Sequence, residues 1–61
     1  MNKRQQAILN LLTTEKRKSV NELTDELAVS GVTIRQDLKL LEKEGLLTRV
    51  HGGAEIQNPD D

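Results

Sequence analysis

The chain has 61 residues and a formal net charge of −1, which allows a single small domain. It contains no cysteine and no aromatic residue, so disulfide frameworks and thiolate metal sites are excluded and the core must be aliphatic. No apolar run approaches the length of a membrane span, and the first ten residues lack the apolar region of a cleavable signal peptide. We therefore expect an intracellular protein with no membrane partner.

Charge is unevenly distributed along the chain. Cations dominate residues 1–18 and 35–50, whereas residues 19–34 and 51–61 are acidic on balance. A fold that placed the first and third of these blocks on one side would have a basic face despite the acidic average.

An apolar stripe at helical spacing predicts a first helix over about Lys3–Thr13. The three cations that follow predict an exposed loop leading to a short extended segment at Lys18–Val20. Such a charge run is either simply solvated or contacts DNA phosphates, because lysine and arginine neutralise backbone charge without reading sequence. On the second interpretation, Lys16 and Lys18 are the candidate phosphate contacts.

Two more helices follow, separated by a short turn. Ser19 and Glu22 match a capping box, which predicts a second helix over Val20–Leu27. A three-residue turn leads to a third helix with Ser30 at its N-cap and Gly45 at its C′ position. Two short helices joined in this way are typical of a helix-turn-helix.

The third helix has two distinct faces. Ile34, Leu38 and Leu41 form an apolar stripe that belongs in the core. Asp37 lies at the edge of this stripe, where we expect a structural role, hydrogen-bonded to an amide or a cation. The opposite face is either merely wet or inserted into a DNA groove. The candidates for DNA contact are Val32, Arg35, Gln36 and Lys39 on this face, together with Ser30 and Thr33 at the N-terminal end of the helix.

Side-chain chemistry suggests individual roles on this face. The planar fork of Arg35 can pair with guanine O6 and N7, and the amide of Gln36 can pair with adenine. Val32 and Thr33 either touch a thymine methyl group or pack against the second helix. Lys39 lies further along the helix, where a phosphate contact is the better expectation.

The hydrophobic period changes after Gly45. A strand over Leu46–His51, a Gly52–Gly53 turn and a returning strand over Ala54–Ile56 form a hairpin, or wing. Arg49, His51 and Gly52 are its candidate DNA contacts. Residues 1–56 thus form the predicted domain, mainly α with a small β-hairpin, a winged helix-turn-helix. Residues 57–61 have no pattern and are expected to be a tail or the start of a linker.

Two segments allow a closer comparison, SGVTIRQDL at residues 30–38 and RVHGGA at residues 49–54. Together with their order and separation, they closely resemble the N-terminal domain of DeoR-type bacterial transcriptional repressors. The resemblance covers about Lys3–Glu55. One departure is visible, since the family usually has two arginines before the aspartate and this chain has Gln36 as the second. That swap concerns operator preference rather than DNA binding.

The resemblance implies a regulator of sugar catabolism in the bacterial cytoplasm, associated with the nucleoid. Its expected partner is double-stranded operator DNA. Family members sense a phosphorylated sugar through a larger C-terminal domain, which is absent from this chain, and a homo-oligomer is expected for the full-length protein. No cofactor is expected.

Two other classes of function remain to be compared. Winged helices also bind RNA or proteins, and the acidic average together with an outward-pointing Leu40 fits such an interaction module. An enzyme is disfavoured because His51, the only histidine, has no nucleophile or acid arranged around it, so no catalytic or metal-binding residue is expected.

Overall fold

The structure, a computed structural model, describes residues 1–56 and has three helices and three strands within that range. In chain order these are α1 (Lys3–Glu15), β1 (Arg17–Ser19), α2 (Val20–Leu27), α3 (Gly31–Lys43), β2 (Leu47–Val50) and β3 (Gly53–Ile56). The fold is the predicted winged helix-turn-helix. The predicted tail, residues 57–61, lies outside the described residues.

Each helix begins at a polar N-cap. The capping box predicted at Ser19 and Glu22 is confirmed, and Ser30 caps α3 by accepting a hydrogen bond from the Thr33 amide. A second capping box at Asn2 opens α1. These side chains satisfy amides that a first helical turn leaves without partners.

The ends of the helices differ in how well the sequence predicts them. At α3 the Gly45 amide donates to the Glu42 carbonyl and the Leu46 amide donates to the Leu41 carbonyl, with Gly45 at φ +79°. This is the hydrogen-bond pattern of a Schellman motif, as the C′ glycine indicates. The first helix, by contrast, continues past the predicted end at Thr13, whose hydroxyl donates back to the Leu9 carbonyl within the helix.

The wing is part of a larger sheet than the sequence predicts. Strand β1 joins the hairpin, giving an antiparallel sheet with strand order β1-β3-β2. The predicted extended segment at Lys18–Val20 is shifted by one residue, because Val20 already begins α2. The predicted Gly52–Gly53 turn is also wrong by one residue. Gly53 pairs with Val50 in the sheet, so the two turn residues are His51 and Gly52.

The core lies where the three helices meet the sheet, and its side chains are all aliphatic. The stripe of Ile34, Leu38 and Leu41 is buried as predicted. Several other aliphatic side chains expected in the core are only partly buried, namely Leu11, Leu27, Val29, Leu46, Val50 and Ile56. The sequence pattern missed Ala54, which is fully buried in β3. The buried core comprises Ile8, Leu12, Val20, Leu23, Ile34, Leu38, Leu41, Leu47 and Ala54.

Candidate nucleic-acid interface

The solvent face of α3 carries the side chains best suited to reach a DNA groove. Arg35, Gln36 and Lys39 are exposed, and Val32 is 62% exposed despite being apolar. Within residues 1–56, Arg35, Gln36 and Lys39 make no side-chain hydrogen bond or ion pair. Their donors are therefore available to an external partner.

The Arg35 guanidinium lies against the first turn of its own helix. A Cβ atom at Gly31 would stand 3.2 Å from Arg35 Nη1, so the absence of a side chain at Gly31 makes room for the guanidinium there. No acidic side chain holds it in place in the described part of the chain. The fork is thus located near the N-terminal end of α3 and free to reorient.

Ser30 and Thr33 are partly committed to the structure. The Ser30 hydroxyl accepts from the Thr33 amide at 3.2 Å and donates to the Thr33 hydroxyl at 3.1 Å. Ser30 is exposed and Thr33 half-buried. Capping is therefore a demonstrated role for Ser30, and a DNA contact by either residue would be additional.

The tip of the wing is attached to the N-terminus of α2. The Gly52 carbonyl accepts a hydrogen bond of 2.8 Å from the Val20 amide. His51 and Gly52 are exposed, and Gly52 has φ +77°, a conformation that glycine adopts without strain. A shallow cleft of about 190 Å³ opens here, between β1 and the wing turn.

Arg49, on β2 two residues before the wing turn, is connected to α3 instead. Its amide donates to the Glu42 carboxylate at 3.3 Å, and its Nε lies 3.5 Å from the same carboxylate. The Arg49 side chain is 45% exposed. An exposed ion pair of this kind contributes little stability, so Glu42 can release Arg49 to a phosphate at small cost.

The basic run after α1 is not a uniform exposed loop, which corrects that prediction. Arg17 and Lys18 belong to β1, where successive side chains point to opposite faces. The Lys18 side chain is only 11% exposed and its ammonium pairs with Glu26 of α2. Arg17 is 70% exposed and faces Glu55 across the sheet at 3.3 Å.

The pKa values at this end of the fold follow from these contacts. The hydrogen bond from Lys18 to Glu26 raises the pKa of the ammonium group. The Ser19 amide, donating to Glu22 in the capping box, lowers the pKa of that carboxyl. The Lys18 ammonium and the Glu22 carboxylate are therefore both engaged in contacts within the domain.

Lys16 is exposed but lies away from the wing turn. Its carbonyl accepts from the Ile56 amide at 3.0 Å, which places it at the end of the sheet opposite the Ser19–Gly53 pairing. The structure therefore brings His51 and Gly52 together with Arg17, and Arg49 together with α3. It separates Lys16 from the wing tip.

The predicted structural role of Asp37 is confirmed. This carboxylate is 3% exposed and receives hydrogen bonds from Arg4 and from the Gln5 amide group at 3.1 Å. The Arg4 guanidinium lowers the pKa of Asp37, outweighing the opposing effect of burial. Both expected kinds of partner, a cation and an amide, are present.

Residues 1–56 contain neither a candidate membrane span nor a candidate metal site. None of their helices combines the length and apolar character needed to cross a membrane. No cluster of three or more histidine, cysteine or carboxylate side chains is placed to hold a metal ion in that range.

Comparison with known families decides the identity of this fold. The sequence profile of the DeoR-like helix-turn-helix domain matches residues 4–60. The chain belongs to the DeoR family. This DeoR-like domain is thus a DNA-binding domain of transcriptional regulators and not an enzyme.

Its curated relatives are named as regulators. The chain is 45% identical over 58 residues to the lactose phosphotransferase system repressor of Lactococcus lactis, covering 92% of this chain and 23% of that protein. It is 45% identical to the regulator GlpR of Haloferax volcanii (84% of this chain, 20% of that protein) and 41% identical to GolR of Listeria innocua (95% and 23%). The chain thus spans about a fifth of the length of these relatives. No solved structure matches it significantly.

The sequence did not single out Arg17 as a candidate DNA contact. Arg17 lines the cleft beside His51 and Gly52 and is far more exposed than its neighbour Lys18. The alternation of a strand would have revealed this, had residues 17–19 been assigned to β1 rather than to a loop.

Proposed function

We propose that this DeoR-like domain is the operator-reading part of a transcriptional repressor, binding specific double-stranded DNA with α3 in the major groove. The observation that carries the proposal is the exposed face of α3, where Arg35, Gln36 and Val32 have no partner that would hide them. A helix that presents an arginine fork, an amide and an apolar group can distinguish guanine, adenine and thymine.

Phosphate contacts complete the proposed interface. Lys39 and Ser30 would meet the backbone beside α3, and Arg49, His51 and Gly52 would meet it from the wing. Lys16 remains a candidate at the far end of the sheet. Lys18 is a weak candidate because its side chain is largely buried against its partner Glu26. We assign the phosphate contact of β1 to Arg17 instead, because its side chain stays well exposed although it pairs with Glu55.

The regulatory context is proposed from the relatives. One of them is named as a lactose phosphotransferase system repressor, which supports a role in sugar catabolism. The proposed location is the bacterial cytoplasm, at the nucleoid. Because the relatives are several times longer than this chain, an effector domain and the contacts of a homo-oligomer would lie outside these 61 residues. A phosphorylated sugar is the proposed effector.

Selection of preferred duplexes from a random pool, with the chain artificially dimerised to restore avidity, tests the proposal. We expect one motif to emerge, and Arg35→Ala to weaken binding and relax preference at one base pair, by about 1–3 kcal/mol. An RNA hairpin serves as the comparison. Recovery of no motif, or tight binding to the hairpin without duplex binding, would favour an RNA or protein module instead.

A further inference from the structure

An ion pair between the buried Asp37 and the partly exposed Arg4 joins the middle of α3 to the first turn of α1. Arg4 donates to Asp37 through Nε and through Nη2, the latter at 3.2 Å from Oδ1. Gln5 donates to the same Oδ1 at 3.1 Å. Both carboxylate oxygens of the 3%-exposed Asp37 are therefore satisfied from α1. We refer to Arg4, Gln5 and Asp37 as the Asp37 network.

The network extends to the N-cap of α1. The Gln5 side-chain carbonyl accepts a hydrogen bond of 3.3 Å from the Asn2 backbone amide. The Gln5 backbone amide in turn donates to the Asn2 side-chain oxygen at 2.7 Å. A glutamate would also complete this capping box, but only a glutamine can accept from Asn2 and donate to Asp37 at once. The residue at position 5 therefore serves the junction with α3 as well as the cap.

Stability alone does not explain a charge at this position. Asp37 lies among Ile34, Leu38 and Leu41, where an apolar residue would extend the core stripe. Replacing a buried ion pair by apolar residues of similar volume is often neutral or stabilising. A bidentate arginine–carboxylate pair adds orientational specificity, because its geometry permits few relative orientations of the two partners.

Orientation matters here because the core that α1 and α3 share is aliphatic, with Ile8 and Leu12 of α1 and Ile34 and Leu38 of α3 in one cluster. Hydrophobic burial is non-directional, so it constrains the rotation of one helix against the other less sharply than a bidentate ion pair does. In the proposed complex, Arg35 and Gln36 contact DNA bases from the exposed face of α3. Rotation of α3 about its own axis would move both side chains away from those bases. Asp37 follows these two residues directly in sequence.

We propose that Asp37 is a positioning residue for operator recognition, held by Arg4 and Gln5 so that α3 keeps one rotation and presents Arg35 and Gln36 to the major groove. The inference rests on the proposed function and deepens it. This positioning role sets the ratio of binding to correct and incorrect duplexes, and it is separate from the stability that the ionised carboxylate gives the fold.

The test compares the wild-type chain with the double variant Arg4→Met/Asp37→Leu, both artificially dimerised. The probes are the duplex selected from the random pool, the same duplex with one substituted base pair in each half-site, and a scrambled duplex. Affinities are measured at a temperature where circular dichroism shows each protein to be fully folded. We expect a thermal midpoint equal to or above that of the wild type, together with a tenfold or greater loss of discrimination and unchanged affinity for the scrambled duplex.

The matched control is Gln6→Ala, next to Gln5 on α1, because within residues 1–56 the Gln6 side chain hydrogen-bonds only to Asn10 of its own helix. It should keep discrimination within twofold of wild type. A folded double variant that also keeps it within twofold would overturn the inference. If the double variant does not fold, the same ratio of affinities for correct and incorrect duplexes is measured for Asp37→Asn. This variant preserves the shape of the side chain and removes its charge. Absence of discrimination in the wild type would instead refute the proposed function.

Discussion

Gly53 lies directly against the backbone of β1 at Lys18. A Cβ atom at Gly53 would collide with the Lys18 carbonyl oxygen and stand 2.8 Å from the Ser19 Cα atom. Because these are backbone atoms next to the N-cap of α2, they cannot move aside without disturbing both the sheet and the helix. Gly53 thus allows the wing to pack on β1.

We therefore expect Gly53→Ala to lower the free energy of unfolding by about 3 kcal/mol or more, the upper end of the usual cost of overpacking, because the backbone atoms it meets cannot yield. Gly52→Ala is the control. It meets no atom within 4 Å but has φ +77°, so its cost should be limited to the roughly 1–2 kcal/mol of a left-handed backbone. Urea unfolding followed by far-ultraviolet circular dichroism suits a chain without tryptophan or tyrosine. Equal costs for the two variants would contradict the packing argument.

A second prediction uses two leucines of the same helix. Leu38 is 2% exposed and Leu40 is 52% exposed. Leu38→Ala removes the same atoms as Leu40→Ala but leaves a cavity, so we expect losses of about 2–5 kcal/mol and less than about 0.5 kcal/mol respectively. Thermal and urea unfolding measure both. A large loss at Leu40 would indicate that a second copy of the chain covers it in solution.

The third prediction concerns acid unfolding. Arg4 holds the pKa of Asp37 below its ordinary value of 3.8, so the ionised carboxylate stabilises the folded state above that value. This contribution is lost as the pH falls through the lowered folded-state pKa. The Glu22 carboxyl, whose pKa the Ser19 amide also lowers, acts in the same direction.

We accordingly expect the free energy of unfolding of the wild type to fall more steeply than that of Asp37→Asn between about pH 5 and about pH 2. The difference between the two proteins should be largest near neutral pH and shrink in acid. Urea titrations at a series of pH values measure it. Parallel pH profiles would show that Asp37 does not titrate as the ion pair requires.

The fourth prediction separates two neighbouring cations. Arg17→Ala should reduce the slope of log affinity against log salt concentration by about 1, because one phosphate contact is lost, with little change in the thermal midpoint. Lys18→Ala should instead lower the thermal midpoint, because Glu26 loses its ion-pair partner, and should leave the salt slope unchanged. Binding of a scrambled duplex at several salt concentrations tests both. A reduced slope for Lys18→Ala would restore that residue to the interface.

Local sequence signals determined much of this fold. Capping residues, helical periodicity and Gly45 predicted α2 and α3 closely, because caps and C′ glycines act within one helical turn. The exposed face of α3, with Arg35 and Gln36 opposite the stripe of Ile34, followed from the same period.

Only the tertiary structure decided which side chains the fold uses for itself. The partner of Asp37 is 33 residues away, and the pairing of β1 with β3 joins Lys18 to Ala54, so no local pattern contains either contact. Addition of β1 to the sheet turned Lys18 inward and Arg17 outward, and fixed the wing turn one residue earlier than its glycines indicate. Long-range pairing is set by packing of the whole chain, and it is this packing that distinguishes a cation available to DNA from one committed to the fold.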